Sequence, residues 1–351
     1  MAAKRLRIEQ GEFIFEFYTG NRHAWINKEL AKRWQAFVTD LSPVDVEVVI
    51  TCYDPKKQFN WPASRLNSFR KIFRNVLDRF PFKNSDNGNI HPPEKILTKL
   101  APDNRFIKAV SDRIRQNTRL IFANTDTGLF FFDPSENRLF IFTEAVRPPI
   151  PLLSGFTGRL PLKRATLITD ISNGVMLALS WLLIHDGGLL LHGAGVQKLK
   201  QAVLFLGVSG AGKSTAARNC APDFCFSDDG VILKKIEAGT FIFASVFSQV
   251  KGPLYQPIPR RTKLQKLFLL NKSDRNRTEP LDKNLLMNHI LLHLIHFFRY
   301  FDEETAEKAF ENVLEIVEEL QAFRLDFTKD RKEWKDVWQA PGKRKNTNHR
   351  S

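Results

Sequence analysis

Eight consecutive residues, Gly207-Val208-Ser209-Gly210-Ala211-Gly212-Lys213-Ser214, satisfy G-x-x-x-x-G-K-[ST] in full. Glycines at this spacing let backbone N–H groups curl around phosphate oxygens with no Cβ in the way. A helix starting after the loop would add the positive end of its dipole. Lys213 is placed to neutralise the β- and γ-phosphates of a nucleoside triphosphate, and the Ser214 hydroxyl to ligate Mg2+. Thr215 closes the candidate nucleotide-binding run. A second signal follows at Ser227-Asp228-Asp229-Gly230. Two carboxylates at a strand end suit two tasks: one can hold Mg2+ directly or through water, and the other can accept the proton of an attacking hydroxyl. Taken alone, Asp-Asp-Gly is also a common turn.

His192 ends the apolar run Leu189-Leu190-Leu191, just before Gly193-Ala194-Gly195. A histidine there is either a hydrogen-bonded structural residue or, if its strand lies beside the one leading into Gly207, a ring within reach of phosphate. His289, His293 and His296 share one helix face at i, i+4, i+7, a spacing that metals use. Leu285, Leu286, Ile290, Leu291, Leu292, Leu294 and Ile295 dominate the same helix, and no acid within a turn completes a ligand set. A structural or helix-packing role is therefore expected for these histidines. Arg260 and Arg261, after Pro257 and Pro259, are expected in a polar loop, where they could clamp phosphate or an acidic acceptor or simply be solvated.

The elements that must carry these groups follow from periodicity. The alternating runs Glu12–Phe17 and Val44–Val48 predict strands, and Trp25–Val38 and Ser64–Arg79 carry helical spacing. Lys83–Pro93 is polar and rich in Asn, Gly and Pro, hence a loop. Gly128–Phe132 and Arg138–Phe142 flank Asp133-Pro134-Ser135-Glu136-Asn137, a hairpin with a five-residue turn. Pro148-Pro149-Ile150-Pro151, with Gly155, Gly158 and Pro161 after it, is the best boundary candidate. Beyond it, strands alternate with helices. A helix over Asp170–Ile184 is followed by strands at Leu189–His192 and Ala202–Leu206. A helix over Lys213–Cys220 and a short strand at Phe224–Phe226 come next. Two long helices near Asp282–Tyr300 and Glu303–Ala322 precede a last strand at Phe323–Phe327. This order is that of an α/β domain.

The expected organisation is a mixed α+β N-terminal domain over 1–165, a P-loop α/β domain over 166–338, and a basic, polar, disordered tail over 339–351. No catalytic constellation is evident in the first domain, and the chain shows no internal repeat. Hydrophobic residues make up 43% and charged residues 26%, ordinary for a folded protein. The formal charge of +15 favours an anionic partner, but part of it sits in Lys4, Arg5, Arg7 and the tail. No basic and aromatic residues repeat on one face, which argues against nucleic acid and against a nucleic-acid-dependent ATPase. Cys52, Cys220 and Cys225 cannot form a disulfide framework and read as buried thiols of a reducing compartment. The first residues show no signal-peptide h-region, and the most apolar run, Val175–Ile184, is about half the length of a membrane span. No membrane span and a cytoplasmic location are expected.

Taken in order, His192, Gly207–Ser214 and Ser227-Asp228-Asp229 resemble the catalytic domain of HPr kinase/phosphorylase and its looser relatives. In that family a strand ending in His precedes a G-x-S-G-x-G-K-S loop, and an A-D-D-like turn follows. The likeness extends to Leu267-Phe268-Leu269-Leu270, Glu279-Pro280-Leu281 and Phe323–Phe327, similar to the tail of HPr kinase-related proteins of peptide-modification gene cassettes. It covers about half the chain, residues 166–338.

The resemblance implies a phosphoenolpyruvate-carboxykinase-like α/β fold. Such a domain would bind ATP and Mg2+ and transfer the γ-phosphoryl to a serine of a peptide or small carrier protein. It implies phosphate binding by Lys213, metal contact by Ser214, metal contact and general-base work shared by Asp228 and Asp229, and His192 near the transferring phosphate. Members of the family are oligomers, which admits a homo-oligomer here. Two departures stand out. Gly230 occupies the place of the basic residue that follows the Asp pair in the family, and the later E-x-R-G signature is missing, with Val250-Lys251-Gly252 and Arg260-Arg261 as imperfect substitutes. They favour an alternative: a non-catalytic, nucleotide-gated scaffold in a peptide-maturation system.

Overall fold

The computed structural model describes residues 5–19, 24–53, 121–124, 128–144, 162–220, 222–247, 261–294, 301–328 and 334–338. The helix expected over Ser64–Arg79, the loop Lys83–Pro93, the Pro-rich boundary candidate and the basic tail lie outside these residues. The chain is of mixed α/β structure and divides into two compact units, 1–181 with 297–302, and 182–296 with 303–351.

In the first unit, β1 (Leu6–Gln10), β2 (Phe13–Thr19), β3 (Val46–Tyr53), β4 (Ile121–Asn124), β5 (Gly128–Asp133) and β6 (Arg138–Glu144) form one sheet in the order β1-β2-β3-β6-β5-β4. The central pairs β2–β3 and β3–β6 are parallel, and the outer pairs antiparallel. The Gly128–Phe142 hairpin forms as expected, but Asp133 pairs with Arg138, so its turn is one residue shorter than the sequence suggested. Glu12 belongs to the β1–β2 turn rather than to β2. Helix α1 (Ala24–Arg33) buries Ile26 and Leu30, and Gln35–Phe37 tighten into a 3-10 turn where the sequence had one helix running to Val38.

Helix α2 spans Leu162–His185, starting earlier than the Asp170 read from the sequence. Its apolar stretch Thr166–His185 has 20 residues, enough by length and composition to cross a membrane, which corrects the expectation that this segment is too short. It is the one such helix among the described residues, and 72% of its apolar window is buried, as in a core helix. Within the first unit, Asp170 on α2 accepts from the Thr143 hydroxyl of β6 at 2.7 Å, and Trp181 meets Phe132 edge-on at 5.6 Å.

The second unit holds β7 (Gly188–His192), β8 (Ala194–Lys198), β9 (Gln201–Leu206), α3 (Lys213–Asn219), β10 (Phe224–Ser227), β11 (Gly230–Ile236), β12 (Gly239–Phe243), β13 (Arg261–Lys272), β14 (Arg277–Pro280), α4 (Lys283–His293), α5 (Glu303–Glu319), β15 (Gln321–Phe327) and α6 (Lys335–Trp338). β13 serves two strand groups. Its start pairs with β12, which leads through β11 to β7, all antiparallel; its remainder lies parallel to both β9 and β15. Outside β9 lie β8 and β10, again antiparallel.

Three sequence expectations change here. Arg261 opens β13 instead of sitting in a loop, and its guanidinium lies 6.0 Å from the Phe241 ring; Arg260 is outside the described residues. Ala322 belongs to β15, because its backbone enters the parallel ladder opposite Leu267, so α5 stops at Glu319. α4 ends at His293, short of Tyr300.

Val203 and Phe205 of β9, Phe268 and Leu270 of β13, and Phe323, Leu325 and Phe327 of β15 form one core with Ala216 and Ala217 of α3 and with Cys220, which follows it. Trp334 and Val337 close it, and the Trp338 indole donates to the Cys220 carbonyl at 2.7 Å, pinning the end of α3. Burying the valine, leucine and phenylalanine side chains among them, each worth about 2 kcal/mol, holds the short helix against the strand ends.

Candidate functional site

Parallel strands end together, and that edge collects the polar residues of the second unit. β9 and β10 run in the same direction, since each is antiparallel to β8, so Leu206 and Ser227 reach the same edge. Gly207–Gly212 leave from β9 there and return into α3, whose first residue is Lys213. Asp228 and Asp229 leave from β10. Ala194, which pairs with Phe205, starts at this edge too, so the residue two before it, His192, arrives by chain continuity. Open α/β sheets bind ligands beyond such carboxyl ends.

The neighbour of β9 differs from the expected one. β7, which carries His192, pairs with β11 and not with β9; the strands beside β9 are β8 and β13. A turn at Gly193 sends the chain from one strand group to the other. His192 thus reaches the site opposite Gly230, and its Nδ1 lies 2.9 Å from Asp229 Oδ1. The Gly193 N–H donates to the Asp229 carbonyl at 3.0 Å, a second tie between the two segments.

Lys213 is buried, 7% exposed, and its Nζ donates to the carbonyls of Gly207 at 2.7 Å and Val208 at 3.3 Å. Burial holds the ammonium below the ordinary lysine value, and the nearby charge of Asp229 pulls the other way. His192, Asp229 and Lys213 are therefore brought together. Asp228 is more deeply set at 6% exposed, beneath the sheet edge, and with burial it helps to push the Cys225 thiol up to about 12. Ser214 and Thr215 are half-buried in the first turn of α3, while Val208, Ser209 and Gly210 are exposed. Among the described residues nothing accepts from the N–H groups of Ser209, Gly210 or Gly212, so this loop offers donors outward.

Two serines shape the Asp228–Asp229 turn. The Ser227 hydroxyl, fully buried, donates to the Phe247 carbonyl at 2.6 Å and accepts from the Asp229 N–H at 3.2 Å. Ser245 donates to the Gly230 carbonyl and accepts from the Phe247 N–H. Phe247 is thereby held over Gly230, where a Cβ would lie 2.9 Å from the Phe247 Cβ. The absence of a side chain at 230 has a steric cause.

One contact at this edge was not foreseen from the sequence, which gave His293 only a structural or helix-packing role. His293, buried at 7% exposed in the last turn of α4, accepts from the Gly207 N–H through Nε2 at 3.0 Å, and its Nδ1 bonds the His289 carbonyl at 2.6 Å. Both ring nitrogens are thus engaged, leaving no lone pair for a metal. The histidine spacing was visible, but no local pattern links positions 86 residues apart.

Among the described residues, no group of three or more His, Cys, Asp or Glu side chains could hold a metal ion. A divalent ion would have to share Ser214 and a carboxylate with oxygens of a bound phosphate, and a hydroxyl, two carboxylates and a buried ammonium on one edge suit that use. No protein-family model matches the chain, and no curated protein matches its sequence.

Proposed function

We propose that the second unit is an ATP- and Mg2+-dependent kinase that transfers the γ-phosphoryl to a serine hydroxyl of a peptide or small carrier protein. The observation that carries this reading is the convergence of Lys213, its outward-donating loop and the His192–Asp229 pair on one edge of parallel strand ends. The resemblance of His192, Gly207–Ser214 and Asp228–Asp229, taken in order, to an HPr kinase-like P-loop domain supports the same reading.

Lys213 exchanges its two carbonyl acceptors for phosphate oxygens, a charge-assisted bond that is stronger than either. The loop N–H groups of Ser209, Gly210 and Gly212 bind and orient the phosphates. Asp229, half-exposed and oriented by His192, accepts the proton of the serine hydroxyl. The serine oxygen then bonds to the γ-phosphorus as the bond to the β–γ bridging oxygen breaks, and ADP leaves with that electron pair. Ser214 and Asp228 are the residues that would hold Mg2+, which supplies charge neutralisation between the phosphates.

One observation favours a second reading, the nucleotide-gated scaffold. Phe247 fills the space where the family resemblance calls for a basic side chain, and such a side chain would help to neutralise the transferring group. The test is incubation of the full chain with γ-labelled ATP, Mg2+ and candidate peptides or small carrier proteins, with Lys213→Ala as control. Label on an acceptor serine, absent with the variant, is expected. ATP binding without transfer to any acceptor points to the scaffold, and no ATP binding at all defeats both readings.

A further inference from the structure

The Gly207 backbone is held from both sides. Its N–H donates to His293 Nε2 and its carbonyl accepts from Lys213 Nζ. A backbone N–H can only donate, so Nε2 must present a lone pair. The His289 carbonyl can only accept, so Nδ1 must carry the proton. The two bonds together define one neutral tautomer, and α4 locks it because donor and acceptor lie one helical turn apart. Gly207 itself has φ +155, and a Cβ there would lie 2.9 Å from Ala211 Cβ and 3.2 Å from the Leu270 carbonyl oxygen. The loop therefore starts from a peptide whose position is fixed by sterics on one side and by His293 on the other. Leu294, next in the chain, bridges to Leu191 of β7, which ties the end of α4 to the strand that carries His192.

Resting on the kinase reading above, we infer that His293 is a positioning residue for the phosphate-binding loop: as the Nδ1–H tautomer it anchors the Gly207 peptide, so that the Lys213 ammonium and the later loop N–H groups stand ready for a triphosphate. The bond removes the Gly207 N–H from the set that could reach phosphate, so the Ser209, Gly210 and Gly212 donors serve instead. Without the imidazole acceptor, that buried N–H would lose its partner and the loop would relax to recover one. The cost would appear in nucleotide affinity, because the donor geometry would then have to be rebuilt on binding. His293 is assigned no contact with substrate.

The test compares wild type, His293→Gln and His293→Leu for binding of a fluorescent ATP analogue with Mg2+, alongside 15N NMR of the wild-type imidazoles. Glutamine offers an oxygen acceptor of similar reach, whereas leucine keeps the volume without an acceptor. The expectation is a loss of tenfold or more for His293→Leu, recovery to within about threefold for His293→Gln, and a His293 signal with a protonated Nδ1 and a bare Nε2. Equal affinity in wild type and folded His293→Leu would overturn the inference and leave the kinase reading standing. So would an Nε2-protonated or doubly protonated His293 in the folded wild type, a result that holds even where the leucine variant does not fold. Failure of wild type to bind the analogue removes the kinase reading, and this inference with it.

Discussion

Each unit buries a charged group, and the two are satisfied in opposite ways. Glu16 on β2 of the first unit is fully enclosed by its partners: Arg7 Nε at 2.8 Å, Arg5 at 3.3 Å and the Tyr18 hydroxyl. Burial alone would raise its carboxyl, but the hydrogen bonds from Tyr18 and Arg7, with the charges of Arg7 and Arg5, hold it below the usual value. Tyr18 is pushed up to about 12 by burial and by Glu16. Lys213 in the second unit is as deeply placed, but its hydrogen bonds go to two carbonyls of its own loop, and the nearby carboxylate of Asp229 is shared with His192. A buried charge with dedicated counter-charges stabilises a fold. One held by neutral, replaceable acceptors is available for a ligand.

The largest effect should come from breaking the available side of this contrast. Asp229→Asn keeps the size of the side chain and its place beside His192 but removes the carboxylate proposed as proton acceptor. Transfer should fall by about 10²- to 10⁴-fold with ATP binding retained. Single-turnover transfer to an identified acceptor checks this, and full activity would sink the assignment of the base. Asp228→Asn should also lose transfer, through weakened metal contact, and the loss should ease as Mg2+ concentration is raised.

Breaking the enclosed side should cost stability instead. Glu16→Gln should destabilise the protein by about 2 kcal/mol, because it leaves the Arg7 and Tyr18 donors without their charged acceptor. ATP affinity should not move. The sign with pH follows from the lowered carboxyl. Its stabilisation is complete above the unfolded carboxylate value and is lost as pH falls through the lower folded value. Denaturant titrations on the acid side should therefore show a shallower decline in the variant, and parallel declines would break the contrast.

A smaller effect is expected at Gly230. Its alanine variant places a methyl against Phe247 Cβ, and overpacking there should cost about 1–2 kcal/mol. If Phe247 is displaced, the Ser227 and Ser245 bonds that shape the Asp228–Asp229 turn go with it, so catalysis should fall more than stability. An unchanged melting temperature and rate would show that the clip has slack.

The smallest effect sharpens the picture of the core under the site. Burial pushes the thiols of Cys220 and Cys225 up to about 12, so neither is ionised at neutral pH. Iodoacetamide at pH 8 should label them at least about a hundredfold more slowly in the native protein than in urea. Their contribution to stability is present below the unfolded thiol value and is lost as pH rises toward the folded one. Rapid labelling of the native chain would mean that the core behind α3 opens readily.

Local order alone specified the segment that matters most. Strand, glycine loop and helix over Ala202–Asn219 follow from an apolar run, three glycines and helix formers within a few residues of each other, and all three elements lie where the sequence placed them. The hairpin of β5 and β6 was equally legible, because alternation and a Pro-containing turn are neighbours in the chain. The long strand β13 was not. It shares its start with one strand group and its end with another, and its parallel partners β9 and β15 are distant in sequence.

The types of the candidate site residues His192, Lys213, Ser214, Asp228 and Asp229 were all readable. What only the tertiary structure decided was who touches whom: His192 on Asp229 rather than beside β9, Phe247 over Gly230, and a histidine from α4 under Gly207. The physical reason is that periodicity encodes which face of an element is buried, whereas a hydrogen bond between elements depends on how the strand ends come together in space.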